Sequence, residues 1–499
     1  MSAQERPTYT LGQPATRTGL GGLSRTTTHV LFAGLATFIV LSMLGLTKMA
    51  FFGAIPVTAI VAVITMIKRG GRNVAEMAQM VIQDLARNSA GENTYYSGPF
   101  STVPGGLYRL PGILAATRLV EATDVQGQPV ALIVDENFSD VTVVFDAQLS
   151  GQTAVTQDER NALTAGWGQW LASLSLPGDI RSASMTVSTR PSSGELVREE
   201  VSRLVVPDAP ELARRILGEA ADQLSAGLPE VSAHIAITIK VPREHLRGDR
   251  FVEAIMTRLS SFTEPLAWAG ILARPMDEEL LVSRVHAAFN PAAEADFEQI
   301  AVRSQKHGLA WTNCGPQCAE AQRGSYMHDG VWSRTWEMTQ APRSSFEDRL
   351  LTRLLAPHPR LTRKRVTLVY RPYEAGAGAR LVEAEHQDAL VAANSGRGAV
   401  SARAEVRLEM TQASRRAQAR GAQLGRYSLY VTTTVDNPAK LASASQDIAQ
   451  LAATSSLTLR PAYRQQDVAF ATALGVGQVP WVRTSLMRGI QLTQVGLED

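Results

Sequence analysis

Between His29 and Ile67 the chain carries a single charged side chain, Lys48, and this scarcity constrains its fold more than any other feature. Neither Val30–Leu46 nor Met49–Ile67 contains Asp, Glu, Lys or Arg. A spanning helix needs about 20 apolar residues, or about 17 at the short end, and both runs reach that length. The break at Thr47-Lys48 leaves room only for a tight turn, and hydrocarbon demands internally bonded backbone, so the pair predicts a transmembrane helical hairpin over 29–67. Pro56, inside the second run, is tolerable there with a kink. A buried hairpin in a water-soluble core is the alternative, and the charge-free length on both sides of the turn favours the membrane.

The flanks give an orientation. Arg6, Arg17 and Arg25 precede the hairpin, Lys68, Arg69 and Arg72 follow it, and Lys48 sits alone in the membrane turn. The positive-inside rule then places both termini in the cytoplasm and the protein in the inner (plasma) membrane. A second run following at once, with no small-residue cleavage site between, argues against a signal peptide.

With 499 residues, 45% of them hydrophobic, the rest of the chain has material for two or three domains. The net charge of +2 argues against direct nucleic-acid binding, which calls for a strongly basic face. Residues 1–28 read as a disordered cytoplasmic tail and 68–112 as an amphipathic helix, Asn73–Asn88, followed by a linker. Alternation predicts a small β-meander over Ile113–Thr123, Pro129–Asp135 and Ser139–Gln148. Strand, helix, strand, helix then recurs, which predicts an α+β body of two related modules, 113–274 with the meander and 330–475. A helical insert, 275–329, separates them, and 476–499 forms a C-terminal tail. The stretch 374–424 reads as helices whose packing is open. In the helix Pro207–Leu228, Leu212, Ile216, Ala220 and Leu224 make one apolar stripe.

Chemistry is sparse. No phosphate-binding G-x-x-x-x-G-K-[ST], G-x-S-x-G or H-E-x-x-H occurs, and GVG at Gly475–Gly477 is too short for a dinucleotide fingerprint. No catalytic, cofactor-binding or metal-ligating residue is therefore assigned. Cys314 and Cys318, spaced C-x3-C, read as loop thiols or a local disulfide, with a half zinc site beside His307 and His328 or a redox pair as alternatives. Asp135, Glu136, Asp140 and Asp146 read as turn and exposed face of the meander, the alternative being an acidic catalytic cluster in a membrane-anchored transferase, with Asp135 or Asp140 holding a metal.

The C-terminal stretch, GRYSLYVTTTVDN and then SSLTLRPAYRQQDVAFATALGVG, resembles the end of the non-catalytic N-terminal domain of conjugation (type IV secretion) ATPases. Gln465, Gln466, Ala469, Phe470, Leu474 and Gly475 stand at the positions of that family's Q…AF…LPLG segment, with Ala473 in place of Pro. The front end resembles the PrgI-like two-span subunit of the same machines. The layout is also similar to the EccE proteins of type VII secretion. The resemblance implies a non-enzymatic membrane scaffold of a secretion or conjugation apparatus, docking a separately encoded ATPase. It makes Phe470, Leu474 and Trp481 candidate contacts to that ATPase, and other membrane subunits and the bilayer further partners. A homo-oligomer is compatible with it, and no cofactor is implied. A ligand-sensing regulator with a cavity is a third reading of the same body.

Overall fold

Runs such as HIAITIKV and VTLVYRP, in which every second side chain is apolar, pair edge to edge into a 13-stranded antiparallel sheet. The computed structural model describes residues 25–66, 68–69, 72–99, 101, 108–149, 155–206, 208–225, 228–342, 346–394 and 402–478. These divide into two compact units. The larger takes in Asn93–Ala379 and the chain from Ala417, and the smaller Gly12–Glu92 with Arg380–Arg416.

The larger unit holds the sheet. In chain order its strands are β1 (Thr94–Tyr96), β2 (Thr117–Thr123), β3 (Pro129–Asp135), β4 (Asp140–Leu149), β5 (Ile180–Pro191), β6 (Pro229–Lys240), β7 (Ile271–Pro275), β8 (Cys318–Ala321), β9 (Tyr326–His328), β10 (Val331–Gln340), β11 (Lys364–Pro372), β12 (Gly425–Val435) and β13 (Thr458–Pro461). Across the sheet they run β1-β8-β9-β10-β12-β11-β5-β6-β4-β3-β2, with β13 beside β10 and β7 beside β4. The expected pair of separate modules is thereby corrected. One sheet runs through both, because β11 pairs with β5 from Lys364↔Thr189 to Tyr370↔Ala183. Within it a connectivity recurs: β4 to β7 lie in the order β7-β4-β6-β5, and β10 to β13 in the order β13-β10-β12-β11.

One face of the sheet is apolar. Leu132, Val143, Phe145, Ile235, Ile237 and Ile239 point to it and pack with Trp170, Phe251, Phe262 and Leu266 from the covering helices. The helix Gln157–Ser173 starts at a capping box, Thr156 with Glu159, a device that satisfies two backbone donors that the helix end would otherwise leave bare. It is pinned to the helix Leu259–Trp268 by Trp170 Nε1 donating to the Phe262 carbonyl at 3.1 Å. In the second half Lys440–Thr454 plays the same part, burying Ala444 and Ile448 over Val366, Leu429 and Val431. Each such aliphatic side chain withdrawn from water contributes about 1.5–3 kcal/mol, which anchors the sheet from this side.

The smaller unit contains the N-terminal hairpin. Its helices are Arg25–Met43 and Ile55–Met66, linked by Thr47–Met49 and a π-helical turn at Ala50–Ala54. They approach closely where Gly34 meets Thr58, and Phe38 packs edge-on against Phe51 with ring centroids 5.7 Å apart. Among the described residues no helix is long and apolar enough to cross a membrane. The two expected spans, and with them the plasma-membrane localisation, are overturned. The first helix spends its opening turn on Arg25, Thr26, Thr27, Thr28 and His29 and ends at Met43, before the apolar run does. At about 1.5 Å per residue its apolar part covers about 20 Å, short of a hydrocarbon core of about 30 Å. The second run is divided by the π-turn, leaving Ile55–Met66 as its regular helix. The chain reverses at Leu44–Leu46, where Gly45 takes a positive φ of 76°, and Lys48 lies in the helical turn that follows. The unit continues through the helix Val74–Ser89 and takes parts of Ala375–Asn394 and Ala402–Ala419, joined by His386 Nδ1 and Thr411 Oγ1 at 3.1 Å. The expected tail at 1–28 falls almost wholly, and the break near 395–398 entirely, outside the described residues.

Candidate functional site

The second face of the sheet is polar at its centre. An antiparallel sheet with one packed face usually turns its polar face to water. Here the polar face is buried, and it is organised in three rows that run across β12, β11, β5 and β6.

The innermost row is Tyr430, Thr367, Thr186 and His234, paired in register across those strands. Over it lies the chain segment that follows the helix Gln466–Ala473. Gln466 fixes the start of that helix, accepting from the Thr335 amide at 2.8 Å and donating to the Thr335 carbonyl at 3.1 Å. Thr367 Oγ1 then donates to the Ala473 carbonyl at 2.7 Å, His234 Nε2 to the Leu474 carbonyl at 2.9 Å, and Ser184 Oγ to the Gly475 carbonyl at 3.2 Å. The sheet's hydroxyls and imidazole supply the donors that these non-helical carbonyls need away from water. Gly475 and Gly477 have positive φ, 69° and 86°. A Cβ on Gly475 would collide with Thr186 Oγ1 and lie 2.9 Å from His234 Nε2, and one on Gly477 would collide with Thr142 Oγ1 and lie 2.6 Å from Thr238 Oγ1. The GVG that is too short for a dinucleotide fingerprint thus lets a backbone strap lie on a bed of threonines.

The outermost row is Thr434, Arg363, Arg190 and Glu230. Above it Glu294, buried at the start of the helix Glu294–Val302, bridges two arginines. Arg190 Nη1 donates to it at 2.6 Å, and Arg363 Nη1 donates to its other oxygen. Arg190 also donates to Glu230 at 2.9 Å. Burial pulls the Arg190 pKa down, but the hydrogen bonds and charges of Glu230 and Glu294 outweigh it and hold the guanidinium above its ordinary value.

The middle row is Thr432, Arg365, Ser188 and Ser232, again in register. Between the Glu294 bridge and the strap opens a cleft of about 110 Å³, roofed by Leu281, Val285 and Ala288 of the helix Glu278–Phe289 together with Pro291, and walled by Leu474 and Val476. The Arg365 side chain makes no hydrogen bond and no ion pair with the described residues. One guanidinium nitrogen, Nη1, is sealed from solvent without a partner, while the side chain as a whole keeps some exposure to the cleft. Its guanidinium carbon lies over the Phe470 ring, 5.5 Å from the ring centre. Burial lowers its pKa to about 10, with Glu294 pulling the other way. Arg284, on the roof helix, gives Nη2 to Asp146 at 2.5 Å and leaves a buried Nη1 unpartnered. Burial first, and then the positive charges of Arg284 and Arg365, push His234 down to about 3, so it is neutral at physiological pH. Four cationic side chains and one carboxylate line the cleft, Arg190, Arg284, Arg363 and Arg365 against Glu294, while Lys364 turns to the other face and donates to the Ala356 carbonyl.

The residues singled out from the sequence are elsewhere or otherwise engaged. Phe470 and Leu474 are buried in the unit's own interior, Phe470 against Phe289, Tyr326 and His328. They face the sheet and not the surface. Trp481 lies outside the described residues. Asp135 accepts from the Asn137 amide at 3.1 Å in the turn after β3, and Asp140 pairs with Arg181 at 2.5 Å. Cys314 and Cys318 are free thiols. Cys314 Sγ donates to the Trp311 carbonyl at 3.1 Å, and burial raises its pKa. His307 bonds the Glu279 backbone at 2.9 Å, and His328 contacts Ser333 Oγ at 2.8 Å and the Phe289 carbonyl. No group of three or more His, Cys, Asp or Glu suited to a metal occurs among the described residues.

Arg365 escaped the sequence reading because nothing local marks it. The available signal was an arginine inside an otherwise apolar alternation, KRVTLVY, on a strand too central to face water. No protein-family model matches the chain, and no characterised protein matches it.

Proposed function

We propose that this chain is a non-catalytic binding protein whose cleft receives the anionic group of a small molecule on Arg365. The observation that carries the reading is the guanidinium itself. A desolvated charge without a carboxylate or carbonyl partner is costly, and proteins keep such a group where something else supplies the counter-charge. Around it the hydroxyls of Ser188 and Ser232 make no hydrogen bond to the described chain, so donors are free to turn toward a ligand. Binding over catalysis is supported by His234, the imidazole lining the cleft, which is neutral and already donates to the Leu474 carbonyl. The test is thermal unfolding of the purified chain in chloride, sulfate and phosphate at one ionic strength. Sulfate and phosphate are expected to raise the midpoint, following the usual dependence of stability on ligand concentration, and Arg365→Gln is expected to abolish the difference. Equal midpoints in all three salts would sink the reading.

A second reading, docking of a partner such as the separately encoded ATPase implied by the C-terminal resemblance, draws support from a different place. On the helix Glu211–Ser225, Leu212 and Ile216 are 58% and 55% exposed, and Leu196 and Leu204 of the neighbouring helix are exposed beside them. An apolar stripe left in water is a common mark of a protein interface. If Leu212→Glu with Ile216→Glu leaves co-purification with such an ATPase unchanged, docking does not use this face.

A further inference from the structure

We infer that the anion held in the cleft is a phosphate monoester carrying an apolar substituent, an inference that rests on the anion-binding reading above. The floor and the roof of the cleft make different demands. Along the floor, Arg365 stands between Thr432 and Ser188, with Ser232 next, each on the neighbouring strand and each on the same face. Strand spacing sets these side chains about 4.8 Å apart. Arg365 brings the planar fork of donors that suits a phosphate or carboxylate, and Ser188 and Ser232 bring one hydroxyl donor each. A carboxylate offers two oxygens to this row, whereas a phosphate monoester offers three terminal oxygens, enough to take the guanidinium and both serines together. Arg284, whose charge is paired with Asp146, keeps a buried Nη1 without a partner among the described residues, a further donor for a phosphate oxygen.

Apart from Arg284, the roof is apolar. Leu281, Val285, Ala288 and Pro291 face the floor, and Leu474 and Val476 close the side toward the strap. Leu281, Val285, Leu474 and Val476 are already buried, so the apolar surface left open is mostly that of Ala288 and Pro291, both half-buried; free phosphate would leave it wet, while a substituent of several carbons would cover it and gain the free energy of withdrawing apolar area from water. The Glu294 bridge closes the outer end, where a second anionic group would meet a carboxylate. The ligand is therefore charged at one end and apolar along the rest.

Calorimetric titration of the full chain with inorganic phosphate, hexyl phosphate, hexanoate and hexan-1-ol separates the claims. Hexyl phosphate is expected to bind tighter than inorganic phosphate by about tenfold or more, tighter than hexanoate by a similar factor, and hexanol not measurably. Ser188→Ala with Ser232→Ala is expected to weaken hexyl phosphate more than hexanoate. Equal affinity for phosphate and hexyl phosphate overturns the apolar substituent and leaves the anion site standing. Hexanoate binding as tightly as hexyl phosphate overturns the phosphate. No binding by any of the three anions overturns the anion site itself, and because the series is run on the unaltered chain, that outcome does not depend on a variant folding.

Discussion

Arg365 faces Ser188 across the β11·β5 ladder, and neither side chain bonds to the rest of the described chain. In a sheet centre this is an expensive arrangement, and its cost is open to measurement. Arg365→Gln removes the desolvated charge but keeps most of the packing on Phe470. In a buffer free of multivalent anions the variant is expected to be more stable than the parent, by about 1–2 kcal/mol, in urea melts. A loss of stability would mean that the guanidinium is satisfied by something in the fold and is not held open for a ligand.

Glu294 is the counterpart of that open position. Glu294→Gln leaves Arg190 and Arg363 short of a shared carboxylate. Removing one member of a buried ion pair costs about 3–5 kcal/mol, and because both arginines keep partial exposure a loss of about 2 kcal/mol is expected. The same variant adds positive potential to the cleft, so its midpoint is expected to respond more strongly to phosphate than the parent's does. Differential scanning fluorimetry with and without phosphate reads both effects.

The strap makes its own prediction. Gly475→Ala and Gly477→Ala each meet a positive φ and a threonine hydroxyl in the place of the new methyl group. Each is expected to destabilise by about 3 kcal/mol or more, the combined cost of backbone strain and a forced shift in a packed interior. Gly127→Ala is the control. Gly127 also has positive φ, 79°, but open space where the methyl group would go, and it is expected to cost about 1 kcal/mol. Chemical denaturation of the three variants side by side gives the comparison.

Acid sensitivity follows from two buried imidazoles. Burial lowers His234 to about 3 and His328 to about 4, from an ordinary 6.5. Between those values and 6.5 the unfolded chain binds protons that the folded chain does not, so stability rises with pH across the window and is lost as pH falls from 6.5 toward 4. Above 6.5 the two groups contribute no slope. Melting midpoints at pH 7 and pH 5 are expected to differ, with His328→Gln reducing the difference. An unchanged midpoint over that interval would show that both imidazoles stay accessible to protons in the fold.

How far these features could be read in advance varies with the physics behind them. The strands Pro129–Asp135 and Lys364–Pro372 and the helix Gln157–Ser173 announce themselves, because alternation and capping chemistry are local. The strands Ile271–Pro275 and Thr94–Tyr96 carry no such local mark, because short edge strands are defined by partners far away in sequence. The hairpin misled for a related reason. Charge-free length was counted, but the helix boundaries that set usable length depend on the polar turn Thr26–His29 and on the π-turn at Ala50–Ala54. The cleft was the least legible of all. Its residues come from the strands of both halves and from the helix Glu278–Phe289, and they become neighbours only once β5 and β11 pair. Even the threonines of the inner row, which alternation assigns to a solvated face, are dry because a segment 239 positions away from Thr238 covers them.

That separation bears on how the molecule is made. Every strand of the large sheet precedes the strap in the chain, so during synthesis the hydroxyls of Thr142, Thr186 and Thr238 emerge well before the glycines that will shield them. Until those glycines leave the ribosome the sheet has one dry face and one wet one, a half-finished surface of the kind that invites the wrong neighbour. Contacts of such long range also form slowly. The nascent chain thus passes through its most vulnerable stage with all its strands in place, waiting for a few residues to arrive.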